Sequence, residues 1–302
     1  MSVLAGEAIE DQDDDVVVPP ATRRLRAARW LRRNPVSAAA ILVILFLAFV
    51  AVFAPVLEPY KPDVPDPMAV LKAPSWAHPL GTDSFGRDVL SRIIDATTLD
   101  LSIALAATLV ALSIGMVIGA LSGYRGGWVD LLVLRVVDVL MAFPAFILAM
   151  GITAALGNSI ANVAIALAIT QLPAYVRLVR GEMLRVRTLE YAEAAVSIGN
   201  PSWRVALVHL LPNCLPPLTV QATLAMGYAV LTMASLSFIG LGIAPPQSEW
   251  GSMTADGATY MSTGEWWLFV FPGVAIVVTV LAFNLVGDAL RDLLDPRLRG
   301  TR

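Results

Sequence analysis

The sequence predicts an all-α membrane protein with six membrane-spanning helices. Three observations carry that expectation. Of the 302 residues, 57% are hydrophobic and only 15% are charged, against about 25% charged residues in an ordinary soluble domain. The apolar residues gather in uncharged stretches about as long as the ~20 residues that cross a bilayer as a helix. The Lys and Arg residues gather between those stretches, so the net charge of -3 hides a strong segregation.

The elements follow in order. The first 22 residues are acidic, end in Pro19-Pro20 and have little to bury, so they read as a disordered tail. Six arginines follow, and the tail closes at residue 33. Asn34 to Leu57 is an uncharged first span. Residues 58–100 form a long loop of mixed charge. Within it Phe85, Val89 and Ile93 recur four apart and Arg87, Asp88 and Arg92 point elsewhere, which predicts an amphipathic helix at the membrane surface. Five more spans fill residues 101–287. The second is Leu101 to Ser122. The uncharged stretch Val139 to Val176 is too long for one span and divides at Gly157-Asn158. It supplies a third helix from about Leu131 and a fourth from about Ile160. The fifth runs from about Leu215 to Phe238, and Pro245-Pro246 stops the helix. The sixth is Trp266 to Gly287, with both tryptophans placed as interface anchors. Residues 288–302 form a tail in which Asp288, Arg291 and Asp292 cap a solvated helix end.

Basic residues set the orientation. Arg23, Arg24, Arg26, Arg29, Arg32 and Arg33 precede the first span. Arg177, Arg180, Arg185, Arg187 and Arg204 follow the fourth, and Arg291, Arg297, Arg299 and Arg302 follow the sixth. The positive-inside rule puts these segments, and both termini, in the cytoplasm. The acidic start with no apolar run close behind it is unlike a secretory signal.

Little in the sequence suits catalysis. Intramembrane ionisable residues mark function, and here they reduce to Arg135 and Asp138. Their i, i+3 spacing places them on one side of a helix, where they can pair with each other. They serve either helix pairing or a translocation path. His78 and His209 lie outside the spans and far apart, and the single Cys214 excludes an intrachain disulfide; no metal site is expected. Neither a P-loop, HExxH nor GxSxG occurs, so no catalytic residues and no cofactor are expected.

The segment "EYAEAAVSIGNPSWRVALVHLLPN", residues 190–213, interrupts the apolar chain. Thr188 is suited to cap a helix with Glu190 in its first turn. Gly199 offers a left-handed turn, and Asn200-Pro201 opens a second helix running to Leu210. Ala192, Ala195 and Gly199 form a slim stripe open to close approach by another surface. Glu190 and Glu193 flank it with carboxylates for an outside Arg or Lys.

These residues resemble the EAA loop of ABC importer permeases: Glu193-Ala194-Ala195, then Gly199, then His209-Leu210-Leu211-Pro212. That family usually carries isoleucine where His209 stands; the His209 to Asn213 variant is similar to its dipeptide, oligopeptide and nickel branch. "HPLGTDSFGRDVLSRI" (78–94), "RVVDVLMAFP" (135–144), "SFIGLGIAPPQSEWG" (237–251) and "GDALRDLLDPR" (287–297) resemble that branch in the same order. The likeness extends over nearly everything after residue 25 and is nearest to the C-type subunit of peptide importers.

The resemblance implies a type I ABC importer permease fold in the bacterial or archaeal cytoplasmic membrane. It implies a second homologous permease beside this one and an extracytoplasmic solute-binding protein. Two cytoplasmic ABC ATPase subunits or domains would bind ATP and Mg. A loop at about 180–213 would dock on an ATPase through Glu190, Glu193, Ala194, Ala195, Gly199, Arg204, His209, Leu211 and Pro212. Pro245, Pro246, Glu249 and Trp250 are candidates for contact with the binding protein. No nucleic acid is implied. A nickel-chelate importer shares the motifs. From the residues alone, an ion-coupled secondary transporter using Asp138 stays open.

Overall fold

The computed structural model describes residues 34–243 and 246–294. The acidic tail, the six leading arginines, Pro245 and Arg297, Arg299 and Arg302 lie outside the described residues. Within them the chain folds into helices α1 (Pro35–Leu57), α2 (Val89–Arg125), α3 (Gly127–Met141), α4 (Ala145–Leu156) and α5 (Ile160–Val186). These are followed by α6 (Glu190–Ser197), α7 (Leu215–Phe238), α8 (Trp250–Thr259) and α9 (Trp267–Leu294). Five helical stretches are long and apolar enough to cross a membrane, and α3 with α4 makes a sixth if the bent pair is one span. The all-helical membrane fold is as expected.

Packing centres on α2 and α5, which approach closely because α2 lacks side chains at three successive turns. A β-carbon on Gly115 would stand 2.5 Å from Tyr175 Cβ, one on Gly119 2.6 Å from the Val176 carbonyl oxygen, and one on Gly123 2.9 Å from that of Arg180. In a membrane, where apolar burial cannot drive helices together, such small-residue spacing lets backbones meet and gain dispersion contacts. α7 and α9 meet in the same way at Gly287, where an added β-carbon would stand 2.6 Å from Leu224 Cδ2. α1 is peripheral: only Ala40, Val50 and Ala54 are buried. Thr98 Oγ1 donates to its Ala51 carbonyl at 2.8 Å.

Several boundaries differ from expectation, each for a local reason. The second span has no separate amphipathic helix before it; α2 runs unbroken for 37 residues from Val89. The polar face of residues 83–92 is the buried one. Arg87 donates to Asp83 at 2.8 Å and Arg92 to the same carboxylate at 2.6 Å. Asp88 caps α2 through the Ser91 amide and lies 3.0 Å from His78 Nδ1. Paired with one another, these charges sit inside beside the buried Val89, while Phe85 is exposed and Arg92 Nε is left without a hydrogen-bond partner.

The third span is broken. α3 and α4 meet at 87° across Ala142–Pro144, because Pro144 has no amide to donate and disfavours helical geometry before it. α7 spans Leu215–Phe238 as expected, and its stop is made before Pro245-Pro246 is reached. The Leu241 amide donates to Leu236 at 2.9 Å and that of Gly240 to Ser237 at 3.0 Å, with Gly240 at φ +82°, the Schellman arrangement. Only Trp266 is placed as an interface anchor would be. Trp267 is buried, with its indole N–H donating to the Thr82 carbonyl at 3.2 Å. α9 continues past Gly287 to Leu294, so Asp288, Arg291 and Asp292 are its last turns.

Candidate functional site: a coupling segment and membrane-depth charges

The segment between α5 and α7 forms from its own sequence. α6 opens with Glu190 and Glu193 in its first turn, where carboxylates complement the unpaired amides. Thr188 is not its cap. Its hydroxyl turns back to the Arg185 carbonyl at 3.0 Å, and Leu189 takes the cap position. Gly199 adopts φ +82°, the left-handed geometry expected of it. Asn200 does not cap the next helix; its amide donates to the Ala195 carbonyl at 2.9 Å and ties the turn to α6. From Ser202 the chain winds as one α-helical turn, a wider π stretch over Val205–Leu210 and a tight 3₁₀ turn over Leu211–Cys214, then enters α7.

Two members of the small-residue stripe, Ala192 and Ala195, face inward, and the third, Gly199, is exposed. Ala192 and Ala195 are buried in the cluster that also holds Val205, Leu210 and Cys214, so their small size lets α6 lie flat on its own chain. The outward face carries Glu190, Glu193 and Ala194 with Tyr191, Val196 and Ile198, the last 78% exposed. Trp203 and Arg204 continue it. Leu211 is half-buried and Pro212 exposed. His209 is half-buried, and its Nε2 is enclosed with no hydrogen-bond partner. An open hollow lined by Arg125, Arg187, Ala192 and Glu193 separates α6 from the end of α2.

The segment is held firmly to the membrane helices. Arg187 donates to the Gly123 carbonyl at 2.9 Å. Arg180 grips Asp130 with two parallel bonds at 2.5 and 2.6 Å, and Asp130 also accepts from Ser122 at 2.6 Å. Bidentate pairs of this kind fix orientation as well as adding energy. These bonds tie the ends of α2, α3 and α5 together just before α6 begins. Neither these pairs nor the Gly115, Gly119, Gly123 spacing is among the sequence-based expectations, although the four-residue glycine period was there to be read.

Arg135 and Asp138 do not pair with each other. Asp138 accepts from Arg177 of α5 at 2.6 Å, because α5 presents a guanidinium fork across the helix pair while Arg135 points outward. Both partners of that bridge are about half exposed, and Arg135 is exposed.

At the opposite end, Glu249 and Trp250 are fully buried and so offer no surface to a binding protein. Glu249 accepts from the Gly251 and Ser252 amides at 2.8 and 2.6 Å and starts α8. Burial raises its carboxyl above the ordinary range while those amides pull it down. The Trp250 indole donates to the Ile93 carbonyl at 3.2 Å. Pro246 remains exposed. Among the described residues no cluster of three metal-ligating side chains exists.

A bundle of apolar helices, five or six of them long enough to cross a membrane, with a polar helical elbow between α5 and α7, defines a multi-span membrane protein. The comparisons with known proteins agree. Residues 115–300 match the model of the binding-protein-dependent transport system inner membrane component, and residues 23–74 match the N-terminal TM domain of oligopeptide transport permease C. The probable D,D-dipeptide transport system permease protein of Escherichia coli K12 is 40% identical over 96% of this chain and 98% of its own length. The glutathione transport system permease protein of Pectobacterium atrosepticum is 42% identical over 90% of each chain. The dipeptide transport system permease protein of Alkalihalophilus pseudofirmus is 38% identical over 93% of this chain and 94% of its own. The chain belongs to the family of binding-protein-dependent ABC importer permeases, in its peptide branch, and is a multi-pass membrane protein.

Proposed function

We propose that this chain is one of two permease subunits of an ATP-driven importer of di- or oligopeptides. It lines the path with a second, homologous permease and docks on a cytoplasmic ATPase through residues 190–213. A solute-binding protein delivers the substrate outside. The carrying observation is the outward face of α6. Two exposed carboxylates, Glu190 and Glu193, stand among exposed Tyr191, Val196 and Ile198 on a helix whose other face is sealed to its own chain. Apolar anchors ringed by charge are what a protein partner buries. ATP and Mg would sit in the partner; this chain holds no phosphate-cradling glycine loop.

The orientation that suits this role has both termini and the α6 end in the cytoplasm, as the basic residues favour. Peptides are the proposed substrate because the relatives' names speak of dipeptides and glutathione; a nickel chelate is the second reading within the branch. An ion-coupled transporter built on Asp138 is disfavoured by the bridge to Arg177 at 2.6 Å, which already supplies that carboxylate with a partner inside the chain. The test is reconstitution with the second permease, the ATPases and the binding protein. Peptide-loaded binding protein should stimulate ATP hydrolysis and uptake, and the purified chain alone should hydrolyse nothing. Hydrolysis by the isolated chain, or uptake driven by an ion gradient without ATP, would refute the proposal.

A further inference from the structure

α3 is a membrane helix that its own chain leaves uncovered. Of its 15 residues only Val137 is buried. Trp128, Leu131, Leu132, Val136 and Val139 are exposed, as lipid or a partner would allow. Arg135 lies in the middle of that face, exposed, with no ion-pair partner among the described residues. It stands eight positions after Gly127, about 12 Å along the helix, and Asp138 about 16 Å. Arg177 stands nine positions before the end of α5, about 14 Å from it. All three charges therefore lie about two to three turns inside helices that are candidate membrane spans. A charge facing acyl chains there is costly, which is why such groups face water-filled cavities or other protein.

A second, independent feature lies about two turns beyond Arg135. The 87° break leaves Phe143 and Pro144 exposed outside both helices, Pro144 with φ -55° and ψ 128°. Backbone without helical hydrogen bonds is tolerated at membrane depth only where it lines an aqueous cavity or is buried in protein. Exposed charge and exposed irregular backbone thus both lie on the bundle's α3–α4 pair, about two turns apart.

From this we infer that the Arg135 side of α3 lines the aqueous path and that Arg135 is a carboxylate-binding group for the substrate in transit. The Asp138–Arg177 pair beside it is neutral overall, so Arg135 supplies the net positive charge. A guanidinium matches a terminal carboxylate with two parallel hydrogen bonds, and every peptide with a free C-terminus carries one. This assignment rests on the peptide-importer reading above and names the part of the substrate that the path recognises.

The experiment compares uptake of a free-acid tripeptide with its C-terminal amide in proteoliposomes of the full complex, each on saturated binding protein. Both rates are normalised to assembled complex. Wild type should prefer the acid. Arg135→Gln should lower acid uptake about tenfold, the scale of one charge-assisted hydrogen bond, and leave amide uptake nearly unchanged. Arg135→Lys should restore part of the preference. An unchanged acid-to-amide ratio in Arg135→Gln would overturn the inference. So would loss of the second permease from the purified Arg135→Gln complex, which would make Arg135 an inter-subunit ion-pair residue instead. If wild type moves neither peptide, the peptide reading fails first, and that result differs from both others.

Discussion

Gly119 of α2 lies against the backbone of Val176 in α5, so near that a β-carbon on Gly119 would stand 2.6 Å from the Val176 carbonyl oxygen. The contact is backbone on both sides and has no flexible side chain to give way. Gly119→Ala should therefore force the two helices apart and destabilise the protein by roughly 1–3 kcal/mol, the usual cost of overpacking. Gly181, on α5, has nothing within 4 Å of its missing β-carbon. Gly181→Ala should stabilise by about 0.5–1 kcal/mol, since alanine gives up less backbone freedom in a helix. Detergent-solubilised unfolding midpoints check both; equal effects of the two substitutions would dismiss the close-approach account.

The turn at Gly199 makes a different demand. Nothing lies within 4 Å of its missing β-carbon, and only φ +82° constrains it. Gly199→Ala and Gly199→Val should each meet the left-handed penalty of about 1–2 kcal/mol, and the valine should suffer more because it is β-branched. Gly199→Asn should be the mildest, as asparagine tolerates this geometry. Membrane insertion should persist in all three, and the purified complex should retain ATPase in the order Asn, Ala, Val. Retention that follows side-chain volume alone would argue for a steric contact instead.

Much of the fold was legible because bilayer thickness sets span length. Asn34 to Leu57, the division at Gly157-Asn158 and the Gly199 turn stand where apolar length and turn chemistry put them. Facing was harder to read. Arg87, Asp88 and Arg92 look like a solvated edge by sequence, yet Asp83 and His78 meet them inside the fold. Periodicity reports polarity and cannot report a partner supplied from elsewhere in the chain. For the same reason Glu249 and Trp250 looked like a contact surface and proved to be the buried start of α8, and Arg135 looked paired while Arg177 held Asp138.

Asp256 gives the Trp250 end of the molecule a pH dependence. Burial raises its carboxyl above the ordinary aspartate range, with Arg92 and Arg87 pulling the other way. The folded state therefore binds more protons than the unfolded state between the ordinary aspartate value of about 3.9 and the raised one. Stability falls as pH rises through that window. Asp256→Asn should flatten the fall and leave the variant the more stable of the two above it. Unfolding midpoints of both proteins across a pH series test this; parallel profiles would assign the slope to another group.

In the proposed function the outward face of α6 transmits ATPase action to the membrane helices. The most direct measurement is ATP hydrolysis stimulated by loaded binding protein, alongside uptake, in the reconstituted complex carrying Glu193→Lys with Ile198→Asp. Both side chains are exposed, Ile198 at 78%, so the chain itself should fold and keep its second permease. The account predicts that this variant loses its ATPase on purification, or keeps it and hydrolyses ATP without uptake. A double variant that holds its ATPase and transports at the wild-type rate would contradict it.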